Sequence, residues 1–535
     1  METLSAPPAV ARPGARGPAP PAWLVGAGLV VALLGLLPIA YLVLVAGSSE
    51  DAVGLVLRER TLGVLGRSLL LAATVTTASA LIGVPIAWLT TRSDLPGRRW
   101  WTILAILPLV VPSYVGGYAV VAAFGPRGAL QSILEPLGIS RLPELYGFPG
   151  AAIALTLFSY PYMVLSVRGA LLRMDPAYEE VSRSLGRGAW RTFFSVTLPQ
   201  LRPAITAGAL LVALYALADF GAVSLLQFDS FTRAIYVQYR ASFDPSLAAV
   251  LALMLVACTA GILLAESRLR GRARYHRSGG GARRRAVVVR LGAWRLPAVI
   301  LCAAIVGLAV VVPIGTIVFW LLRGVAAGEP LNFVWDAAVN SVVASGLAAL
   351  LAVLASIPVA VLAVRHRSAL STVVERATYA GFALPGIVIG LAFVFVAARY
   401  LPGMYQTLPL LLVAYLVRFA PEAVGITRVS LLQVSPRVEE VARTLGRRPA
   451  AVLREVTLPI IRPGLAAGGA LVFLTAIKEL PTTILLAPTG FDTLAVRIWS
   501  ATSEGFFARA AAPALLMVVV AAATLTFILR QEQDR

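Results

Sequence analysis

Residues 175–203 read DPAYEEVSRSLGRGAWRTFFSVTLPQLRP, and residues 435–463 read SPRVEEVARTLGRRPAAVLREVTLPIIRP. The two segments lie 260 residues apart, and about half of their aligned positions are identical. Similarity at one fixed offset indicates an internal duplication. Because the similarity is concentrated in a polar segment, where a lipid environment imposes no composition, we expect both copies to contact the same kind of partner.

Apolar runs flank both copies of this repeat. The chain has 535 residues, of which 59% are hydrophobic and 13% are charged. A soluble core cannot bury that proportion, and runs of roughly 20 to 25 residues match the length of a helix that crosses about 30 Å of hydrocarbon. In lipid each segment must satisfy its own backbone hydrogen bonds, which favours helices. We predict an all-α polytopic membrane protein with about twelve spans, at 23–46, 64–90, 100–124, 149–172, 203–227, 246–265, 297–321, 339–364, 377–398, 407–430, 463–487 and 507–529.

The twelve spans divide into two six-helix repeats in the same order. Weaker matches precede the strong one, and they pair Ser68 with Ser341, Pro85 with Pro358, and Pro108 with Pro385. We predict four regions: a disordered cytoplasmic tail at 1–21, a first transmembrane domain at 22–266, a basic cytoplasmic linker at 267–295 and a second transmembrane domain at 296–535.

The net charge of +20 is concentrated in the predicted linker. From Ser267 to Arg295 there are ten arginines and no acidic residue. A basic segment between two spans is typical of a cytoplasmic loop close to membrane lipid, rather than of a nucleic-acid-binding surface. The other basic clusters fall on the same side of the twelve-span topology. We therefore predict a multi-pass protein of the bacterial cytoplasmic (inner) membrane with both termini cytoplasmic and an uncleaved first span.

Residues for catalysis are not apparent in the chain. The two cysteines lie in separate apolar runs and the two histidines in basic loops, so we predict no disulfide framework and no metal site. A phosphate-binding loop requires Gly-Lys-Ser/Thr, but the single lysine, Lys478, lies between Ile477 and Glu479. The chain is therefore predicted to be a transport subunit rather than an enzyme.

The repeat itself predicts a short helix, a glycine stop and a second helix that continues into the next span. Asp175 or Ser435 can cap the short helix, and the following proline suits its first position. Acidic residues near the first turn can form ion pairs four residues apart, Glu179 with Arg183 and Glu439 with Arg443.

The short helix is also predicted to be amphipathic and to end at a glycine. Gly186 and Gly446 can adopt the left-handed conformation that terminates a helix. One face carries an apolar stripe, which consists of Tyr178, Val181 and Leu185 in the first copy and Val438, Val441 and Leu445 in the second.

The pattern E-E-x-x-R-x-L-G, followed by T-L-P and R-P, resembles the loop of the membrane components of binding-protein-dependent ABC importers. The resemblance implies the ABC type I importer transmembrane-domain fold. It implies that each short helix docks on one copy of a separate ATPase, which binds ATP and Mg, and that this chain holds no cofactor. The residues of this chain that would contact the ATPase are Glu179, Glu180, Leu185, Gly186, Glu439, Glu440, Leu445 and Gly446. The alternative is an ordinary solvated surface helix.

Charged residues also occur inside the spans that follow the repeat. Asp219 and Glu479 coincide at the 260-residue offset, each 16 residues after Pro203 or Pro463. At ~1.5 Å per residue, this is about 24 Å along a helix. Intramembrane charges are costly and usually face a partner or an aqueous path. We predict that Asp219, Lys478 and Glu479 line or gate the outer end of a pathway. An ion pair that only fixes helix packing is the alternative.

The sequence around these charges also suggests a cargo. ADFGAVSLL with TRAIYVQY, and KELPTTILL with FDTLAVRIWS, resemble the ferric-iron importers, in which an extracytoplasmic solute-binding protein delivers Fe(III). Permeases for thiamine, polyamines, phosphonate or sulfate share the loop and remain alternatives. A proton- or sodium-coupled secondary transporter also fits twelve spans. The loop between the second and third spans, with Asp94, Gly97, Arg98 and Arg99, faintly resembles the loop signature of the major facilitator group of such transporters.

Overall fold

A computed structural model of the chain describes residues 20–48, 52–125, 128–137, 145–241, 245–269, 288–330 and 333–533. Within these ranges the chain is helical apart from short connections, and one isolated bridge between Ser93 and Val289 is the only β pairing. The all-α prediction is therefore confirmed. Most of the predicted tail and of the basic linker lies outside the described residues.

The α-helices of the first half are α1 (Ala22–Gly47), α2 (Ala52–Leu57), α3 (Glu59–Arg92), α4 (Arg98–Ile106), α5 (Ser113–Phe124), α6 (Ala129–Leu134), α7 (Gly147–Arg173), α8 (Ala177–Ser184), α9 (Ala189–Thr192), α10 (Leu198–Ala218), α11 (Gly221–Leu225), α12 (Phe231–Ala241) and α13 (Pro245–Leu269). Those of the second half are α14 (Arg295–Val306), α15 (Val312–Ala326), α16 (Phe333–Arg365), α17 (Ala369–Ala380), α18 (Gly386–Tyr400), α19 (Leu408–Gln433), α20 (Pro436–Thr444), α21 (Pro449–Val452), α22 (Leu458–Ala476), α23 (Pro481–Leu486), α24 (Leu494–Ser503) and α25 (Phe507–Gln533).

These helices account for the predicted twelve crossings. Ten are long and apolar enough to span a membrane, and twelve crossings result if each of two sharply bent pairs counts as one. In the first half α3, α7 and α10 pack against one another, as α16, α19 and α22 do in the second. Large apolar side chains such as Leu33, Leu70 and Leu81 point outward, where lipid would cover them.

The first span of each half reaches across to the other half. Tyr41 of α1 donates a hydrogen bond to the carbonyl of Phe395 in α18, at 3.4 Å. In the reverse direction, Trp320 of α15 donates its indole N–H to the carbonyl of Ala122 in α5, at 3.1 Å. The two repeats therefore interlock rather than lie side by side.

The third span of each half is broken, whereas one span each was predicted at 100–124 and 377–398. In the second half, the helical segments on either side of Leu384 and Pro385 meet at 107°. In the first half, α5 begins after Pro112. Proline lacks the amide donor that an uninterrupted helix requires, so it favours a break at its own position.

The position of these breaks corrects one of the predicted correspondences. Pro112 and Pro385 each precede the second part of a broken span, so Pro385 corresponds to Pro112 and not to Pro108. The offset is 273 residues, the same as between Ser68 and Ser341. Those two serines are confirmed as equivalent: each hydroxyl accepts the first amide of a short helix, from Phe231 of α12 at 2.8 Å and from Leu494 of α24 at 2.7 Å.

The fifth span of each half ends earlier than predicted. Apolar composition predicted spans at 203–227 and 463–487, but α10 ends at Ala218 and α22 at Ala476. Asp219 follows α10 directly and Glu479 lies three residues after α22, and each carboxylate accepts a backbone amide of the next turn. The apolar residues on either side hide this break from a hydropathy pattern.

Candidate coupling and pathway sites

The repeat forms two nearly identical helical elements, which we call the coupling helices, α8 and α20. Each ends at a glycine with a φ of +81°, Gly186 or Gly446, as predicted. In the first copy, the amide of Gly186 donates to the carbonyl of Arg183 at 2.9 Å, and the amide of Arg187 donates to that of Ser182 at 3.3 Å. The second copy repeats both bonds at 2.9 and 3.2 Å. This is the Schellman arrangement, and it satisfies carbonyls that the helix end would leave unpaired.

The starts of the coupling helices differ. A carboxylate oxygen of Asp175 accepts the amide of Ala177, the first residue of α8, at 3.0 Å, but Pro176 is the N-cap of α8 and does not occupy its first position as predicted. The side chain of Ser435 makes no capping bond, so the prediction for the second copy is wrong, although Pro436 does occupy the first position of α20.

The predicted apolar stripe is present on both coupling helices and is exposed. The exposed fraction is 71% for Leu185 and 78% for Leu445. The other stripe residues are also exposed, namely Tyr178, Val181, Val438 and Val441. Two equivalent sets of large apolar side chains therefore project from the described part of the chain at matching places.

The two acidic residues of each repeat lie on different faces. Glu179 and Glu439 are only 4% exposed, whereas Glu180 is half-buried and Glu440 exposed. Among the residues proposed from the sequence for contact with a partner, Glu179 and Glu439 are therefore turned inward. The leucine, the glycine and the second glutamate of each copy stay accessible.

The buried glutamates hold the coupling helices to their own domains. Glu179 accepts the hydroxyl of Thr197 at 2.9 Å, and Glu439 accepts that of Thr457 at 3.1 Å. The predicted pairs with Arg183 and Arg443 are present at 3.9 and 3.4 Å.

The second coupling helix has an additional anchor. Nε and Nη2 of Arg365, the last residue of α16, both donate to one carboxylate oxygen of Glu439, at 3.1 and 3.0 Å. Nη2 also donates to the carbonyl of Val434 at 3.0 Å. Arg92 occupies the corresponding position at the end of α3, but its Nη2 donates to the carbonyl of Leu171 at 3.1 Å.

Asp219 lies at the end of α10 and is buried. Its side chain accepts the amide of Val223 at 3.1 Å, so it caps the short helix α11. Its own carbonyl accepts the hydroxyl of Thr232 at the start of α12. Asp219 therefore joins three helices at the break in the fifth span, through its carboxylate and its main-chain carbonyl.

Glu479 has the same position in the second half and makes more contacts. Its Oε1 accepts the amide and the hydroxyl of Thr482, at 3.1 and 2.7 Å. The Thr482 hydroxyl also lies 3.1 Å from the carbonyl of Gly386, at the break in the third span. A carboxylate oxygen of Glu479 lies 4.0 Å from Nε of Arg418. The broken third and fifth spans of the second half thus meet at this carboxylate.

Lys478 connects the two halves. Its Nζ donates to the carbonyl of Leu109, at 2.9 Å. Leu109 lies in the 3-10 turn Leu107–Val110, just before the break in the third span of the first half. Lys478 therefore lies where the fifth span of one half meets the third span of the other, and Asp219 and Glu479 each lie at the break in the fifth span of their own half.

Sequence reasoning missed two further charged residues at this place. Arg418 and Glu422 lie one turn apart on α19. Arg418 donates to the carbonyl of Leu384, and Glu422 accepts the hydroxyl of Thr475 at 2.9 Å. The signal was available, because both charges interrupt an apolar run, as Asp219 does.

The described residues include no group of three or more His, Cys, Asp or Glu side chains arranged to hold a metal ion. The charged residues of the second half instead use neighbouring backbone and hydroxyl groups. Their arrangement suits a closed junction between helices more than a preformed ligand cage.

An interlocked pair of six-span repeats, with matching amphipathic helices and charges at broken spans, defines a polytopic membrane transport protein. The family described as binding-protein-dependent transport system inner membrane component matches residues 79–274 and 344–533, once in each half. The chain belongs to this family. Each match includes one coupling helix and one charged break, and the family name places the protein in the inner membrane.

Relatives named for ferric-iron transport match over most of the chain. The chain is 35% identical to the Fe(3+)-transport system permease protein FbpB 2 of Haemophilus influenzae, over 96% of this chain and 98% of that protein. It is 26% identical to the ferric transport system permease protein FbpB of Actinobacillus pleuropneumoniae, over 87% of this chain and 70% of that protein. The molybdenum transport system permease protein ModB of Escherichia coli is 34% identical over 29% of this chain and 69% of its own length.

Proposed function

We propose that this chain is the membrane subunit of an ATP-driven importer that moves ferric iron across the cytoplasmic membrane. The full-length similarity to a permease named for Fe(3+) transport supports this cargo. The ModB relative matches less than a third of the chain and gives no comparable support for an oxyanion. An extracytoplasmic binding protein would deliver the iron to the outer face.

The energy would come from a separate ATPase dimer, one copy on each coupling helix. Two exposed apolar stripes at equivalent places support this part of the proposal, because apolar patches of this kind mark interaction surfaces. The contacts would be Leu185 and Leu445 with the neighbouring Gly186, Gly446, Glu180 and Glu440. Both coupling helices and both termini would then be cytoplasmic.

The charged residues at the broken spans would gate the pathway. Lys478 links the two halves, so separation of the halves must break its bond to Leu109, whereas Glu479 links two broken spans within the second half. Asp219 would act in the same way in the first half. Arg418 and Glu422 complete the set in the second half.

Reconstitution tests the transport function. The chain is placed in proteoliposomes with its ATPase and binding protein, and uptake of radiolabelled Fe(III) is measured with and without ATP. We expect uptake that requires all three components and ATP. Uptake driven by a proton or sodium gradient without the ATPase would contradict the proposal, and selective uptake of another binding-protein ligand would contradict the cargo.

Charge-neutral variants test the gate. Asp219→Asn and Glu479→Gln keep an oxygen that can accept the backbone bond but remove the charge. We expect each variant to lower uptake about tenfold, while the melting temperature of the chain stays close to that of the wild type. Unchanged uptake in both variants would leave these residues with helix capping as their sole role.

A further inference from the structure

A cavity of about 190 Å³ lies beside the second coupling helix, on the side opposite its exposed stripe. The cavity is bounded by the start of α1, the end of α16, the end of α19 and the buried face of α20. Residues that line it include Trp23, Leu24, Arg365, His366, Glu439 and Arg443. A group bound here would touch the coupling helix without competing for Leu445.

The corresponding place in the first half is occupied by a pair of tryptophans. Trp190 contacts Trp294 edge to face, with the ring centroids 5.8 Å apart. At the 260-residue offset Trp190 corresponds to Ala450, which is adjacent to the cavity residue Pro449. Trp23 corresponds to Trp294, since each follows an alanine at the start of the first span of its half. An alanine in place of a tryptophan therefore leaves room beside the second coupling helix.

The polar part of the cavity wall holds two arginines and one glutamate, so it carries a net positive charge. Two arginines, Arg365 and Arg443, share the carboxylate of Glu439. The side chain of Arg443 keeps 43% of its surface exposed. The imidazole of His366, which also lines the cavity, can donate a hydrogen bond. Guanidinium groups in such a setting match the geometry of phosphate oxygens.

The position and the apolar part of the wall favour a lipid over a free anion. Trp23 is 51% exposed at the first turn of a membrane helix, the place where tryptophans mark the membrane interface. Leu24, Val361 and Leu431 supply apolar surface next to the arginines. Basic pockets between membrane helices on the cytoplasmic side bind anionic lipid headgroups.

We propose that this cavity binds the phosphate headgroup of an anionic phospholipid, and that the second coupling helix thereby has a lipid contact that the first one lacks. The cytoplasmic placement of the cavity rests on the proposed function. The lipid contact does not depend on iron transport or on ATP.

Native mass spectrometry of the full-length chain tests the proposal. The detergent-purified protein is titrated with phosphatidylglycerol, with phosphatidylcholine and with inorganic phosphate, without iron, ATP or partner subunits. We expect phosphatidylglycerol to bind more tightly than phosphatidylcholine, and inorganic phosphate to compete only weakly. Arg443→Gln should weaken phosphatidylglycerol binding about fivefold, the ratio expected for loss of one cation near a lipid phosphate.

Two further variants make the result specific to the cavity. Ala450→Trp introduces the side chain that fills this place in the first half, and it should remove the preference for phosphatidylglycerol. Arg183→Gln is the matched control, because Arg183 corresponds to Arg443, and it should leave lipid binding unchanged. Melting temperatures check that each variant is folded. If Ala450→Trp does not fold, the lipid binding of Arg443→Gln alone tests the proposal.

Equal binding of the two phospholipids, or wild-type binding by Arg443→Gln, would overturn the proposal. Displacement of phosphatidylglycerol by low concentrations of inorganic phosphate would also overturn it, because the site would then hold a free anion. None of these three results would affect the proposed transport function, since no transport step is measured.

Discussion

The two halves have the same fold and the same coupling helix but stabilise that helix differently. In the second half Arg365 donates two bonds to Glu439, whereas in the first half Arg92 binds the carbonyl of Leu171. Glu179 keeps its threonine partner and a longer contact to Arg183. A duplicated element can therefore preserve its exposed surface while the buried contacts beneath it diverge.

The charged residues at the broken spans, which we propose to line the pathway, diverge even more. The second half has Arg418, Glu422, Lys478 and Glu479 at its broken spans. At the 260-residue offset the first half has Phe158, Tyr162, Ala218 and Asp219. One half thus supplies four charges and the other supplies one. A single path between them would be polar on one side and largely aromatic and apolar on the other.

The buried glutamates offer the first way to sharpen the comparison. Glu439→Ala leaves Arg365 without its carboxylate partner, and breaking a buried pair in this way costs about 3–5 kcal/mol of unfolding free energy. Glu179→Ala removes mainly a hydrogen bond and a weak ion pair, and we expect a loss of about 1–3 kcal/mol. Unfolding of the purified chain in mixed micelles measures both. Equal losses would mean that the two anchors are energetically alike.

The break in the third span offers a second comparison. Gly386 corresponds to Ser113 at the 273-residue offset, but a Cβ atom at Gly386 would clash with Oε1 of Glu479. Gly386→Ser should therefore displace that carboxylate and cost about 1–3 kcal/mol, as overpacking usually does. Ser113→Gly creates no clash but removes the hydroxyl that bonds the buried Asp219 carboxylate, so we expect a loss of about 1.5–3 kcal/mol that comes from a lost hydrogen bond and not from overpacking. A Gly386→Ser protein as stable as the wild type would show that the carboxylate has free space.

The glycines after the coupling helices should behave alike, in contrast to the anchors. Gly186 and Gly446 share a φ of +81°, which side chains other than glycine adopt at a cost of roughly 1–2 kcal/mol. We expect Gly186→Ala and Gly446→Ala to lower stability by equal amounts in the same unfolding assay. A large difference between them would indicate that one loop already departs from the shared turn.

Repetition explains what could be predicted from the sequence. The coupling helix, its glycine stop and its apolar stripe recur at one offset and depend on contacts within a few residues. The inward position of Glu439 depends on Thr457, 18 residues later, and on Arg365, 74 residues earlier. Local periodicity carries no information about such partners, so both buried glutamates were assigned to the exposed surface.

The broken spans were missed for a related reason. Apolar residues continue through Pro112, Pro385 and Asp219, so composition alone predicts uninterrupted helices. The breaks occur because prolines and charged side chains alter the backbone bonds locally, and their partners come from other helices. Arg418 and Glu422 could have been found by the rule that identified Asp219, since they also interrupt an apolar run.

Thiol labelling tests the proposed coupling surface most directly. Cys258 and Cys302 are replaced by alanine, and single variants Leu185→Cys and Leu445→Cys are treated with a membrane-impermeant reagent, with and without the partner ATPase. Trp335→Cys, at the opposite end of α16 from the second coupling helix, is the control. We expect both leucine-site cysteines to react in the free chain and to be protected by the ATPase, while the control is unchanged. Equal reaction at residues 185 and 445 with and without the ATPase would contradict this account of the two helices.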